Sequence, residues 1–330
     1  MAPEHSDSLL GAIVLVLAIA SVGTWFALAD RLKHGQILKY EPRRPVPWRG
    51  VWTLLPILLV GLTVFAAFRG DASAEDADSA TATDFVERIA LGSLQQAAIV
   101  VAFLAMVIAV SGATRAVLGL PKDLHQFVRD VRIGIVAWLA ALAPVYGTQI
   151  LFISLFGPVE GHPLIKIVGE HPNPVLYALA FTAAVVVAPI CEELLFRLLL
   201  QGWLEKWEDR RLGWREEKPN DEARMTSDEC VALNDSSFVI RHSSFPEEQP
   251  PQIGWANLPY GWLPIGLSSL LFALAHVGYG PDPIPLFLLA LILGYVYQRT
   301  HRIVPCMVTH ALFNGLSLVA LWRVMSAGAP

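Results

Sequence analysis

Apolar runs broken by short polar segments organise this chain from end to end. They lie near residues 9–29, 51–68, 89–112, 134–156, 175–200, 261–279, 284–298 and 303–323. About 20 apolar residues carry a helix across a hydrocarbon layer roughly 30 Å thick. The pattern therefore predicts an all-α, polytopic membrane bundle of about eight transmembrane helices. The seventh run is short, which suits a tilted or partly re-entrant helix. The first run resembles a signal peptide in that Ala27-Leu28-Ala29 mimics a cleavage site. Met1–Ser8 carries no Lys or Arg, however, and the run is too long for a signal core, so a retained helix is expected.

The polar segments alternate in charge. Residues 30–50 carry Arg31, Lys33, Lys39, Arg43, Arg44 and Arg49; residues 113–133 carry Arg115, Lys122, Arg129 and Arg132; Arg299 and Arg302 flank the last hinge. Between the second and third runs the chain is acidic, with Asp71, Glu75, Asp76, Asp78 and Asp84. The positive-inside rule then places the three basic segments in the cytoplasm and the N-terminus outside. Residues 205–260 form the one long hydrophilic stretch, with Pro246, Pro250 and Pro251 in its second half. It reads as a cytoplasmic, loosely packed insertion. Trp48, Trp52, Trp262 and Trp322, with Tyr279, Tyr295 and Tyr297, read as interfacial anchors.

Composition agrees with a membrane protein. The 330 residues are 54% hydrophobic and 16% charged, with a mean hydropathy of +0.50, whereas soluble domains run near a quarter charged. No basic domain with interleaved aromatics points to nucleic acid. Cys191, Cys230 and Cys306 are widely spaced and odd in number, so neither a disulfide framework nor a thiolate zinc site is implied.

Against that apolar background two adjacent acids stand out, Glu192 and Glu193 in Ala188-Pro-Ile-Cys-Glu-Glu-Leu-Leu-Phe-Arg-Leu198. An ionisable group at the centre of a membrane helix costs roughly 2.5–3.5 kcal/mol on insertion scales and is a functional candidate by default. Glu193 and Arg197 are four apart and share a helix face, so they are expected to pair and to point away from any site. Glu192 is rotated about 100° from its neighbour and lacks an i+4 cation, which suits it to a general base. Pro189 cannot donate to the carbonyl of Val185, so a kink is expected there. Two later runs each bring a histidine, His276 four residues after Phe272, and His310 four residues before Asn314. Taken singly, the acids could cap a span at the membrane surface, and each histidine could be an interhelical hydrogen bonder. Three separate apolar segments delivering such groups point instead to a water-activating site.

The ordered set Glu192-Glu193-x-x-x-Arg197, Phe272-x-x-x-His276 and His310-x-x-x-Asn314 resembles the CPBP family. These are the intramembrane CAAX proteases and bacteriocin-processing enzymes, also called Abi proteins, which include the type II CAAX prenyl endopeptidases. The resemblance covers roughly 175–320. It implies a division into N-terminal membrane helices over 1–174 and a catalytic membrane domain over 175–323, with 205–260 inserted in it. It also implies an endopeptidase acting on membrane-associated proteins or peptides, with Glu192 activating water and His276, His310 and Asn314 completing the site. Glu193, Arg197 and Phe272 would support it. The sequence departs from the family in having Leu198 where Gly commonly follows the arginine, and in the long gap between Glu193 and Phe272.

Two mechanisms are open at this point. With Zn²⁺, His276 and His310 would be ligands; without metal, the histidines and Asn314 would stabilise an oxyanion by hydrogen bonding. No H-E-x-x-H occurs. The competing functions are a proton-coupled transporter, against which stands the lack of an inverted repeat, and a non-catalytic scaffold or immunity protein. The expected location is an integral, multi-pass protein of the plasma (inner) membrane, with a membrane-associated peptide or protein as partner, the bilayer as solvent and no nucleic acid.

Overall fold

The computed structural model describes residues 3–34, 36–43, 46–48, 50, 54–55, 58, 82–157, 173–214, 250–277 and 283–328. Over these it is helical. The helices are α1 (Pro3–Lys33), α2 (Ala82–Ser111), α3 (Leu124–Phe156), α4 (Pro174–Leu212), α5 (Trp262–Leu274), α6 (Pro283–Thr300) and α7 (Ile303–Gly328). Six of them, all but α5, contain spans long and apolar enough to cross a membrane. The expected span 51–68 lies almost wholly outside the described residues.

Side-chain caps and prolines explain where these helices start and bend. Asp123 accepts from the Gln126 N–H at the start of α3, and Asn173 accepts from Val175 and Leu176 ahead of Pro174, the first residue of α4. Inside α3, Pro144 has no N–H to give the carbonyl of Ala140. The indole of Trp25 on α1 donates to that oxygen at 3.0 Å instead. A proline thus becomes a tether between two helices.

α4 is not uniform. Its 39 residues include two π-helical stretches, Ala183–Val187 and Leu194–Gln201, on either side of the short α-helical piece Ala188–Glu193. The kink expected at Pro189 therefore takes the form of widened turns, which recur at functional positions in helices. Gly213, at φ 63°, ends the helix in the left-handed conformation that glycine tolerates.

α5 and α6 form an antiparallel pair. Gly261 packs on Gln298, the ring of Trp262 lies 6.5 Å from that of Tyr295, and Gly294 admits Ile265 where a Cβ would meet its Cγ2 at 3.0 Å. α5 has 13 residues, about 20 Å of helix at 1.5 Å per residue, so it stops short of a full crossing. The expected span 261–279 is corrected accordingly. His276 lies in the turn just after α5, at mid-bundle depth, which brings it level with Glu192 near the middle of the long α4.

One end of the bundle gathers all three basic segments. Arg302 binds Glu41 at 2.8 and 2.9 Å and Asp130 at 2.8 Å, while Arg129 also reaches Glu41 at 3.3 Å. Beside them Arg43 is clasped by Glu208 (2.6 Å), Asp209 (2.5 Å) and the Glu205 carbonyl (2.9 Å), and lies 4.0 Å over the Tyr260 ring. Residues 205–214 and 250–260, both in the stretch expected to be a loose insertion, are therefore packed against the N-terminal arm; 215–249 lie outside the described residues. Two expected interfacial anchors are also inside the protein. Trp48 is buried with its indole N–H on the carbonyl of Leu199 at 3.2 Å, and Tyr297 is buried as well. Tyr279 and Trp52 lie outside the described residues.

Candidate active site

The middle of α4 places two carboxylates on different faces, and each finds different partners. Glu193 is fully buried and divides its oxygens: Oε2 accepts from Arg197 Nε at 3.1 Å, and Oε1 accepts from His310 Nδ1 of α7 at 2.9 Å. The expectation that Glu193 and Arg197 point away from the site is corrected here. A carboxylate has acceptor sites on both oxygens, so the ion pair with its own helix leaves one oxygen to hold the histidine. Glu192 Oε2 lies 3.9 Å from the Nε2 atoms of both His276 and His310. That oxygen is buried and has no hydrogen-bond partner of its own.

Phe272 is the hinge of the cluster. Its ring, fully buried, lies 4.8 Å from the His276 ring, 5.7 Å from the His310 ring and 5.3 Å from that of Phe196, and Arg197 Cζ stands 5.4 Å from its centroid. Its carbonyl is freed because α5 ends there: the His276 N–H bonds to Ala273 instead, and His276 Nδ1 takes the Phe272 oxygen at 2.8 Å. The end of a helix thus orients the imidazole. Arg197 is also held by Ser268 Oγ at 3.1 Å, whose hydroxyl donates to the carbonyl of Phe196 at 2.9 Å.

These bonds settle which ring nitrogens carry protons. A carbonyl and a carboxylate only accept, so Nδ1 of His276 and of His310 are the donors. In neutral histidine each Nε2 is then a bare lone pair, aimed near the lone pairs of Glu192 Oε2. Three acceptor atoms face one another, an arrangement that calls for hydrogen-bond donors between them. Ligands around a tetrahedral zinc with bonds of about 2.1 Å stand roughly 3.4 Å apart, closer than the 3.9 Å found. Among the described residues no group of three His, Cys, Asp or Glu side chains is gathered tightly enough to hold a metal ion. As placed, the residues fit a water donating to two acceptors better than they fit zinc.

Asn314 takes a different place from the one expected of it. Its Nδ2 donates to the carbonyl of Ala184 at 2.7 Å. The π turn explains that bond. The Ala188 N–H, the α-helical donor to Ala184, is drawn to Ala183 instead, and the next N–H in π register would come from Pro189, which has none. The amide of Asn314 supplies the missing donor and ties α7 to α4 about two turns before Glu192.

Sequence reasoning missed Ser268 and the ionic end of the bundle. Ser268 had a usable signal, since it precedes Phe272 and His276 by four and eight residues on one helix face. Glu205, Glu208 and Asp209 share α4's continuation at i, i+3 and i+4, but nothing in the sequence names Arg43 as their partner. Burial works to lower the pKa of the Arg43 guanidinium, and Glu205 and Asp209 outweigh it, leaving it above the ordinary arginine value.

A model of the type II CAAX prenyl endopeptidase Rce1-like family matches residues 174–216 and 247–316. The match contains Glu192, Glu193, Arg197, Ser268, Phe272, His276, His310 and Asn314, and its gap falls in the long hydrophilic stretch after α4. Neither a curated protein nor a solved structure matches the chain. Over these residues, which hold every residue of the candidate site, the chain is similar to the type II CAAX prenyl endopeptidases of the Rce1-like family.

Proposed function

We propose that the protein hydrolyses a peptide bond of a membrane-associated protein or peptide, with Glu192 as the base that activates water and no metal in the step. The family supports a CAAX-type endopeptidase in general. The observation that carries the finer reading is the unpartnered, buried Oε2 of Glu192, 3.9 Å from both histidine Nε2 atoms.

In this reading a water donates one hydrogen to Glu192 Oε2 and the other to a histidine Nε2, which leaves its lone pair free for the substrate carbonyl. As the water oxygen bonds to the carbonyl carbon, Glu192 takes the proton. When the C–N bond breaks, that proton passes to the leaving amine. With Nδ1–H already committed, either histidine can donate to the oxyanion only when Nε2 is protonated too, so oxyanion stabilisation by His276 or His310 requires an imidazolium. Glu193 holds His310 in register, and Asn314 holds the widened α4 turn at Ala184, about two turns before Glu192. The three gathered basic segments support a cytoplasmic placement for that end of the bundle.

The test is cleavage of prenylated and unprenylated C-terminal peptides by the protein in proteoliposomes. Glu192→Gln keeps the shape and removes the base; its activity should fall by at least about 10³-fold while its yield and elution profile stay unchanged. Activity should also persist after exhaustive dialysis against a chelator. Full activity in Glu192→Gln would end the base assignment. Loss on chelation that is restored by Zn²⁺ would replace the proposed mechanism with a metal-dependent one.

A further inference from the structure

We infer that the basic end of the bundle carries a binding site for an anionic phospholipid, between α1, α3 and α6. A groove of about 470 Å³ lies there, walled by apolar side chains of all three helices, with Val136, Ile292 and Tyr295 among them and Trp25 and Trp262 at its sides. Three arginines, Arg31, Arg129 and Arg132, line the same groove. Arg31 sits in the last turn of α1, and Arg129 and Arg132 sit in the first turns of α3, so all three lie at one depth. Their side chains are exposed. Arg129 is tied to Glu41, whereas Arg31 and Arg132 form no ion pair among the described residues.

The charge continues beyond the groove. Arg129 is shared with a second hollow of about 610 Å³ that Arg115, Lys122, His125 and Arg302 also line, with Asp123 the one carboxylate on its wall. An apolar slot opening beside a basic bowl, with Trp262 on its wall at the basic end, where tryptophan favours the headgroup level, matches a molecule with acyl chains and an anionic head. The lipid fills the slot with its chains and sets its phosphate between Arg31 and Arg132. Arg129 lies at the boundary of slot and bowl, and its contact with Glu41 leads to Arg302 and Asp130. An occupied site thereby presses on the ionic cluster that holds the N-terminal arm to the bundle. None of these residues touches Glu192 or the histidines, so the inference stands apart from the protease reading.

The experiment is lipid retention by the intact protein. The protein is exchanged into detergent with an equimolar mixture of phosphatidylglycerol and phosphatidylcholine, washed, and the bound lipid counted by native mass spectrometry. Wild type should retain phosphatidylglycerol in preference. One basic residue near an anionic surface is worth about a fivefold change in binding, so Arg31→Gln/Arg132→Gln should lower the preference about 25-fold. Arg210→Gln, at the same end but off the groove, controls for net charge and should leave it unchanged. Equal retention of the two lipids by wild type overturns the inference. So does an unchanged preference in the double variant, or displacement of the bound lipid by a prenylated peptide, which would make the groove a substrate site.

Discussion

Removing Glu193 tests the buried relay that joins Arg197 to His310, because its two neighbours are left in unequal positions. In Glu193→Ala the fully buried Arg197 keeps only the Ser268 hydroxyl and the face of Phe272. A buried charge stripped of its partner costs about 3–5 kcal/mol. In Arg197→Ala, Glu193 keeps its bond to His310, so the loss approximates one charged hydrogen bond, about 1.5–3 kcal/mol. The double variant removes both buried charges and should cost less than the sum of the singles by at least about 1 kcal/mol, a coupling typical of residues in direct contact. Titrating each purified variant with a denaturing detergent and following the helical signal gives the free energies. Peptide cleavage per folded molecule adds a second readout. Glu193→Ala should lose activity beyond its loss of fold, since His310 no longer has its Nδ1 acceptor, and Glu193→Gln should recover part of it by offering a carbonyl oxygen. An Arg197→Ala variant less stable than Glu193→Ala, or strictly additive singles, would refute the relay.

Three further outcomes follow from the geometry. Asn314→Asp and Asn314→Ala each leave the Ala184 carbonyl without a donor and should cost about 1–3 kcal/mol in the same titration; activity per folded molecule should fall less than about tenfold, where loss of an oxyanion donor would take 10²–10³. Ser268→Ala should lower stability by about 1–2 kcal/mol through the lost Arg197 contact, and a wild-type melting curve would remove it from the site. Gly134→Ala sets a Cβ 2.7 Å from Val308 Cβ and 2.8 Å from the Pro305 carbonyl where α3 crosses α7, so it should destabilise by about 1–3 kcal/mol, and unchanged unfolding would show that the crossing yields.

The sequence by itself determined the class of this protein, since apolar runs of membrane length admit only helices whose backbone bonds are internal. It also marked the residues whose burial needs a reason, Glu192, Glu193, His276 and His310, because an acid or imidazole among leucines is costly wherever the helix turns. Helical spacing was enough to pair Glu193 with Arg197. Tertiary structure decided the rest, because it depends on atoms far apart in the chain. Spacing within one helix could not show that the second oxygen of Glu193 holds His310, nor that α5 ends in time to set His276 level with Glu192. Nor could it show that Asn314 fills the donor missing at Pro189, which needs both the widened turn of α4 and the approach of α7. The same holds at the basic end, where composition marked 205–260, with Glu205, Glu208 and Asp209 at its start, only as a loosely packed hydrophilic insertion. Arg43, more than 150 residues earlier, turns them into a buried clasp, and only the folded chain brings it there.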